Sequence, residues 1–215
     1  MALIVQMAKN AGTSCSFTNP TTPGNLLLAS AGKGSDNAPF NWSGWTISDD
    51  GGNSWAVGSN SFGDFASSGT TYFSNGQVAY LPLSANAVNT ITVSAADELF
   101  IYEVSGVGGF DVTALQQSTG GDNTASFTTR FNYDFTYIFT GVVASSATAP
   151  SGFTQLQSAT GLTPPEPSGV TDFWNPNIGV AGAHTTDIGS NFAFQIVLTF
   201  QSTPAPVALF SGFIV

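Results

Sequence analysis

Positive charge is what this sequence lacks most. The chain of 215 residues has 3 Lys+Arg against 13 Asp+Glu, which gives a formal net charge of −10. Charged residues make up 7% of the chain, whereas an ordinary soluble domain has about 25%. Binding to nucleic acid and charge-driven binding to an anionic membrane both require clustered cations. We therefore exclude both kinds of partner.

Cysteine and long apolar runs are scarce as well. The single cysteine, Cys15, excludes an intramolecular disulfide framework, and its alternating neighbours predict a buried core residue rather than a reactive thiol. The first residues have no basic segment and too short an apolar run for a signal peptide, and no run approaches the length of a membrane-spanning helix. We therefore expect either a virion protein made in the cytoplasm or a processed or fused piece of a secreted protein.

Apolar and aromatic residues are, by contrast, abundant. Hydrophobic residues make up 42% of the chain, which includes 18 Phe and 4 Trp. A disordered acidic chain would lack such residues. The composition therefore predicts a folded protein whose surface is built largely from Ser, Thr, Asn and Gly.

Apolar and polar residues alternate with a period of two through most of the chain, between turns rich in Gly, Pro, Asn and Asp. The alternation predicts strands at 2–8, 14–18, 26–29, 44–48, 54–57, 71–73, 77–81, 89–94, 99–104, 124–131, 135–143, 178–183 and 191–200. A break is expected near Asn75–Gly76, and residues 99–104, apolar on both faces, are expected to lie centrally. The best helical candidate, 112–117, is short. These features predict an all-β protein, an antiparallel β-sandwich of jelly-roll type with about ten or more strands and almost no helix.

A single domain over residues 1–215 is the organisation we predict. A chain of 22.1 kDa buries about 70% of its surface on folding, which is ample for one core. The Pro-rich stretch 163–169 cannot form a central strand, and we interpret it as a long surface loop. A domain linker is the alternative.

The segment from Asp49 to Asn53 carries a group of side-chain oxygens. Asp-Gly and Gly-Asn between alternating flanks predict a β-hairpin, because these residues tolerate φ > 0. The alternative role for Asp49, Asp50 and Asn53 is binding calcium, although calcium takes about 6–8 oxygen ligands and this loop supplies only a few. We therefore predict no cofactor, with calcium at this turn as the alternative.

Glu103 is the one charged residue in a strand that is otherwise apolar. Period-two alternation places it on the same face as Leu99 and Ile101. A buried carboxylate without a partner is costly, so we predict a structural carboxylate that accepts hydrogen bonds and holds the turn at Ser105–Gly106. Arg130, the only arginine in the chain, is a candidate partner. A carboxylate that contacts a ligand or a metal is the alternative.

The four tryptophans are candidates for sugar binding, because exposed aromatic rings can stack on sugars. Trp42 and Trp45 are three apart, so in a strand they would face opposite sides, one in the core and one less buried. Trp55 follows the Asp49–Asn53 turn, and Trp174 follows the Pro-rich loop and is predicted to be the most exposed. Trp174, Trp55 and Trp42 are the candidate binding residues, with core packing or loop anchoring as the alternative.

Catalytic chemistry has little support in the sequence. His184, the only histidine, lies in a turn-like segment without a nucleophile motif or the converging ligands of a metal site, so we predict a structural or solvated role. Asp97 and Glu98 are adjacent and would point opposite ways in a strand, unlike the paired carboxylates of a glycosidase. We therefore predict that the protein is not an enzyme.

Several short motifs occur in an order that resembles a family of jelly-roll modules found in phage structural proteins and bacterial surface proteins. The motifs are Thr22–Leu28 (TPGNLLL), Ser43–Thr46 (SGWT), Asp50–Trp55 (DGGNSW), Tyr80–Pro82 (YLP), Val88–Val93 (VNTITV), Ile101–Val107 (IYEVSGV), Ser151–Thr154 (SGFT) and the closing strand Phe192–Phe200. The resemblance covers most of the chain. It implies the jelly-roll fold, and it supplies no catalytic residue.

Together these observations predict a virion structural protein, most simply a phage capsid decoration or related surface component. Its expected partners are other virion proteins and itself, as a trimer or other homo-oligomer, and the apolar stretch Val207–Val215 is a candidate contact. The alternative is a carbohydrate-binding module of a phage fibre or bacterial surface protein, which would bind cell-surface glycans and lie extracellularly or on the cell surface.

Overall fold

The computed structural model describes residues 1–36, 38, 40–67, 70–118, 123–143, 146–162, 168–189 and 193–203, with the backbone alone at 36, 59–67, 70–72, 118, 168 and 193. These residues form fifteen β-strands and no helix. The strands are β1 (Leu3–Ala11), β2 (Ser14–Ser16), β3 (Leu26–Asp36), β4 (Ile47–Asp49), β5 (Ala56–Ser67), β6 (Thr70–Leu81), β7 (Thr90–Val93), β8 (Glu98–Ser105), β9 (Val107–Ser118), β10 (Thr124–Thr129), β11 (Phe135–Val143), β12 (Thr154–Thr160), β13 (Ser168–Asn175), β14 (Gly182–Asp187) and β15 (Ala193–Ser202).

Two five-stranded antiparallel sheets form the body of the protein. Sheet I has the order β1-β8-β3-β6-β5, and sheet II has the order β12-β13-β11-β15-β9. The two sheets pack face to face over a central core whose largest members are Phe100, Tyr102, Phe135, Tyr137, Phe139, Phe194 and Phe200. Full burial of an apolar side chain of this size contributes roughly 1.5–3 kcal/mol. The predicted antiparallel β-sandwich is confirmed, and its assignment to the jelly-roll type stays a prediction.

Smaller sheets cover the outer faces of this sandwich. The three-stranded layer β2-β7-β4 lies against sheet I, and the two-stranded layer β10-β14 lies against sheet II. Strands inside the sandwich are therefore buried on both faces. In β8, Phe100 points into the central core and Leu99 points toward the three-stranded layer. This four-layer packing explains the continuous apolar run at 99–104, whose predicted interior position is confirmed because β8 lies between β1 and β3.

The predicted break near Asn75–Gly76 is wrong, because β6 runs through both residues. Gly76 fits the strand because the rings of Phe139 and Phe194 fill the space where a side chain would lie; a Cβ there would come within 2.7 Å of Phe139 Cε1. Asn75 is fully buried, and its amide donates to Lys33 O, at 3.0 Å, and to Ser35 Oγ, at 2.9 Å. The two residues serve packing and hydrogen bonding rather than chain reversal.

The predicted hairpin at Asp49–Asn53 is also wrong. A turn does form there, with Gly52 at a φ of 70°. However, β4 pairs with β7 and β5 pairs with β6, so the turn carries the chain from the three-stranded layer to sheet I. The turn residues determine a reversal of direction, whereas the choice of pairing partner depends on the rest of the fold.

Other parts of the strand prediction need adjustment. Residues 112–117 belong to β9, the strand expected at 178–183 lies at Gly182–Asp187, and β12 and β13 were not predicted.

Of the Pro-rich stretch, residues 163–167 lie outside the described residues, and 168–169 begin β13. The apolar stretch Val207–Val215 also lies outside them. In the part of the chain that the structure describes, no helix is long and apolar enough to cross a membrane.

Candidate binding site

The carboxylates of Asp49 and Asp50 are occupied by hydrogen-bond donors. Asp49 accepts from the backbone N–H of Asn53 at 3.1 Å and from the indole Nε1–H of Trp55 at 2.6 Å. Asp50 accepts from the backbone N–H groups of Asn89 and Thr90 at 2.9 and 3.1 Å. Each acid therefore braces a different loop, and the two do not form a shared set of calcium ligands. Calcium binding at this turn stays a prediction.

Glu103 is buried and hydrogen-bonded, but its partners differ from those predicted. Its carboxylate accepts from the backbone N–H of Thr22 at 2.8 Å, from Asn25 Nδ2 at 2.6 Å and from Gln6 Nε2 at 2.7 Å. It therefore holds the chain segment that enters β3 rather than the turn at Ser105–Gly106. The suggested pairing with Arg130 is wrong, because Arg130 pairs with another carboxylate.

The tryptophans contribute more to packing than to the surface. Trp42, with 6% of its surface exposed, and Trp45 are both buried and contact each other edge to face, with ring centroids 5.8 Å apart. The expectation that one of them is less buried is wrong, because the two residues lie in a turn, where Trp45 N–H donates to Trp42 O, and not in a strand. Trp42 thus has almost no surface for a sugar.

Trp55 and Trp174 are both half-buried. Trp174 lies in β13 and packs against Phe135 at a centroid distance of 6.0 Å, so it is not the freely exposed ring that the sequence suggested. A binding role for either indole stays a prediction that rests on its remaining exposed edge.

The other polar candidates have structural partners. His184 Nε2 lies 3.1 Å from Thr129 Oγ1, and its ring stacks on Phe127. Asp97 pairs with Lys33 at 2.9 Å and accepts from the Gly34 N–H. Cys15 is buried, as predicted, and burial raises the pKa of its thiol to about 11. These groups show no catalytic arrangement among the described residues.

A cavity of about 260 Å³ opens between the segment before β11, the segment after β13 and the end of β15. It is lined by Met1, Asn132, Tyr133, Pro176, Asn177, Ser202 and Thr203. Two hydrogen bonds link the segment before β11 to the segment after β13. Asn132 Oδ1 accepts from Ala181 N–H at 2.8 Å, and Tyr133 N–H donates to Gly179 O. The hydroxyl of Ser202 is buried and has no hydrogen-bond partner among the described residues. The cavity thus presents an aromatic ring and amide groups.

Tyr133 is the most unusual residue of this cavity. It is the one non-glycine residue at positive φ among those described, with φ of 64°, and 55% of its surface is exposed. An L-residue with a large side chain rarely adopts this conformation, which costs on the order of 1 kcal/mol. Tyr133 thus places a partly exposed aromatic ring at the cavity. Strained residues of this kind concentrate at binding sites.

Two buried acids lie next to this segment. Asp111 of β9 accepts from Arg130 Nε at 2.5 Å and from the Arg130 backbone N–H at 2.9 Å. Burial alone would raise the pKa of Asp111, but the bonds from Arg130 hold it below its usual value. Asp134, directly after Tyr133, is fully buried, and no donor among the described residues reaches its carboxylate oxygens. Burial and the neighbouring Asp111 raise the pKa of Asp134 to about 7.

A third acid is buried between sheets I and II. Asp172 of β13 accepts from the hydroxyls of Tyr102 and Tyr137, the latter at 2.8 Å, and from the backbone N–H of Gln157 at 2.8 Å. Burial raises the pKa of Asp172 to about 7, although these hydrogen bonds partly offset the increase. The network joins the two sheets, because Tyr102 lies in sheet I and Asp172 lies in sheet II.

Sequence reasoning missed these three acids and Tyr133. The signal that singled out Glu103, one acid between apolar neighbours, is also present in Phe110-Asp111-Val112, and it would have found Asp111. Asp172 lies between Thr171 and Phe173, so the same signal does not mark it. Asp134 lies between two strands, where an acid is ordinary, and nothing local marks it as buried.

Comparisons with known proteins do not identify a relative of this chain. No protein-family model, no curated protein and no solved structure matches the chain. The resemblance to phage and bacterial surface modules therefore stays a prediction.

Proposed function

We propose that the protein is a non-enzymatic structural component of a virion, a phage capsid decoration or related surface protein that self-associates and binds the particle. The observation that carries this proposal is the edge of sheet I. Among the described strands, β1 pairs only with β8, so none of them pairs with the other side of its backbone.

Apolar side chains line the exposed face of this edge strand. Leu3, Val5 and Met7 are 61%, 49% and 50% exposed. An exposed, apolar edge strand is a template for pairing with another chain, and proteins that remain monomeric rarely leave such a row uncovered. The occupant that we propose is a strand of a second copy or of a capsid protein.

The scarcity of charge supports the same proposal. With charged residues at 7% of the chain, few long, flexible side chains must be ordered when the surface is covered. Ordering such a side chain costs about 0.5–1.5 kcal/mol at an interface. A surface of short polar side chains therefore suits permanent assembly on a particle.

A matched pair of variants tests the edge. We expect the wild-type chain to associate with increasing concentration in sedimentation equilibrium, and Leu3→Ser to weaken that association. Leu83→Ser removes an equally exposed leucine, 59% accessible, away from β1, and is expected to behave as wild type. A strictly monomeric wild-type chain, together with no matching density on native particles, would contradict the proposal.

A carbohydrate-binding module is the second candidate, and the cavity at Tyr133 is the observation that favours it. An exposed aromatic ring beside asparagine amides matches the needs of a sugar, which stacks one face and hydrogen-bonds with its edges. In this role Tyr133 replaces Trp42 as the aromatic platform, while Trp55 and Trp174 remain candidates. The protein would then act extracellularly or on a cell surface.

A glycan array distinguishes this second candidate. We expect Tyr133→Ala to abolish any glycan signal, and Phe131→Ala, a neighbouring exposed ring that does not line the cavity, to preserve it. A glycan signal that is lost on substitution of Trp174, and not of Tyr133, would place the binding site at β13. The absence of any glycan bound by the wild-type chain would remove this candidate.

A further inference from the structure

The end of β15 and the start of β1 meet at one end of the sandwich. The N-terminal ammonium of Met1 donates to the carbonyl of Thr203 at 2.9 Å. The Thr203 N–H donates at 2.9 Å to the carbonyl of Gly106, which lies between β8 and β9. Because β1 is antiparallel to β8 and β15 is antiparallel to β9, β15 arrives at this end and β1 departs from it. The chain beyond Thr203 therefore begins beside the first residues of β1.

The residues beyond Thr203 lie outside the described part of the chain, and their sequence is typical of a strand. Val207–Val215 reads VALFSGFIV, in which every residue except Ser211 and Gly212 is apolar and none is charged. Branched and aromatic residues of this kind favour strands, and a run that is apolar on both faces favours a covered strand. The segment also matches the nine residues of β1 in length.

The outer edge of β1 is a suitable acceptor for such a strand. On the side that faces sheet II, β1 is already held, because Lys9 Nζ donates to Ser158 O at 2.7 Å and Gln157 Nε2 donates to Ala8 O at 3.2 Å. None of the described strands pairs with the side of β1 away from β8. A strand added there would place its apolar side chains beside the exposed row that begins at Leu3, and apolar cross-strand pairs stabilise a sheet.

Two prolines lie in the connection between β15 and this segment. To pair with β1 of its own chain, the segment must reverse direction within residues 204–206, which are Pro-Ala-Pro. Proline fixes its own φ near about −65°, and the residue before a proline disfavours the α region. Thr203 and Ala205 therefore prefer extended backbone, which opposes a tight reversal. Short, strained connections of this kind favour the exchange of a strand between copies.

We propose that Val207–Val215 of one copy adds to β1 of a second copy, as a strand parallel to β1. An exchanged strand occupies the place that it would take in its own chain, so the contact between Met1 and Thr203 sets the direction. Val207 then lies near Leu3, and Val215 lies near Ala11. This inference rests on the proposed function, because it names the strand that covers the β1 edge and commits to a second copy.

Disulfide cross-linking between two different variants tests the exchange. Each of two single-cysteine chains is mixed with the other, unfolded in urea, refolded together and treated with a mild oxidant. We expect Leu3→Cys to form a covalent heterodimer with Val207→Cys, and Met7→Cys with Ser211→Cys, on a non-reducing gel. Neighbouring strands lie about 4.7–4.9 Å apart, within the Cα separation of about 4.4–6.8 Å that a disulfide spans.

Matched controls use the same cysteines in other combinations. Leu3→Cys with Ser211→Cys should not link, because four residues along a strand span about 13 Å. Val57→Cys, at a position 49% exposed in the opposite edge strand β5, should not link to Val207→Cys. The wild-type chain should give no covalent dimer, because its Cys15 is buried.

Sedimentation equilibrium under reducing conditions measures association independently of the cross-links. Leu209→Ser should weaken the association of the full chain by about tenfold or more, the effect expected when a buried leucine is lost from an interface. Leu83→Ser, outside both the segment and β1, should associate as the wild type does.

Four results would overturn the exchange. If the wild type associates and neither expected heterodimer forms, the proposed self-association stands and this inference fails. Covalent homodimers of Val5→Cys alone would show that β1 pairs with β1. Links in the crossed pairs only would mean that the added strand runs antiparallel.

The fourth result concerns one chain that carries both Leu3→Cys and Val207→Cys. A disulfide within that chain, together with a monomeric wild type, would show that the segment covers β1 of its own chain. That outcome would also contradict the self-association in the proposed function.

Discussion

The carboxyl of Asp172 should make the stability of the protein depend on pH between about 4 and 7. Burial between the two sheets raises the pKa of Asp172 from 3.8 to about 7. Because the folded state holds the proton more tightly than the unfolded state, the stability from this group is complete below about pH 4. It is lost as the pH rises to about 7. A shift of about three units corresponds to about 4 kcal/mol.

Asp172→Asn should remove this dependence, because the amide does not titrate. We expect urea unfolding to show a steeper loss of stability between pH 4 and 7 for the wild-type chain than for the variant. The difference should reach about 4 kcal/mol, or about 2 M in the urea midpoint at a typical m-value of about 2 kcal/mol/M. Asp134 titrates in the same window but is present in both proteins, so its contribution cancels.

The hydroxyl of Tyr137 provides a directional control. Because its hydrogen bond to Asp172 lowers the pKa of the carboxyl, Tyr137→Phe should move the loss of stability to higher pH. Identical pH slopes for the wild type and Asp172→Asn would refute the reasoning, since they would show that this carboxyl does not titrate between the sheets in the expected range.

Three further predictions follow from packing and hydrogen bonding. Gly76→Ala should lower the free energy of unfolding in urea by about 1–3 kcal/mol, because the added Cβ would overlap the rings of Phe139 and Phe194. Gly109→Ala is the control and should be nearly neutral, because the space around its Cβ is open. Equal losses of stability in the two variants would contradict the overlap. Glu103→Gln should cost about 1–3 kcal/mol, because a carboxamide cannot accept from all three amide donors; an unchanged unfolding midpoint would show that these bonds do not matter. Cys15 should resist iodoacetamide at pH 8 until the chain is unfolded, because burial raises its pKa to about 11; rapid labelling of the native chain would contradict this.

Much of the fold could be predicted from the sequence because the relevant signals are local. Period-two alternation identifies a strand from its own residues, and the continuous apolar run at 99–104 indicated burial on both faces. Gly76 shows the limit of such signals. Its neighbour Asn75 and its own lack of a side chain are typical of a turn, and only the rings of Phe139 and Phe194 from sheet II explain why a strand continues there.

The candidate site was less predictable than the fold. The Asp49–Asn53 turn carries the densest group of oxygens along the chain, yet each carboxylate there is satisfied by nearby N–H groups. Asp111 and Asp134 are far apart in sequence, and neither belongs to a motif. They meet because β9 and β11 both lie beside β15 in sheet II, with Asp134 directly before β11.

The sequence by itself determined the class of this protein: a folded, acidic, all-β chain with a buried Cys15, a buried Glu103 and almost no cations. Composition and alternation carry that information, since each residue contributes to it independently of distant ones. Only the tertiary structure decided how the four layers of sheet pack, which strands pair with each other, and which acids are buried away from solvent. Those outcomes depend on contacts between residues remote in sequence, and the burial of Asp134 beside Asp111 arises from them alone.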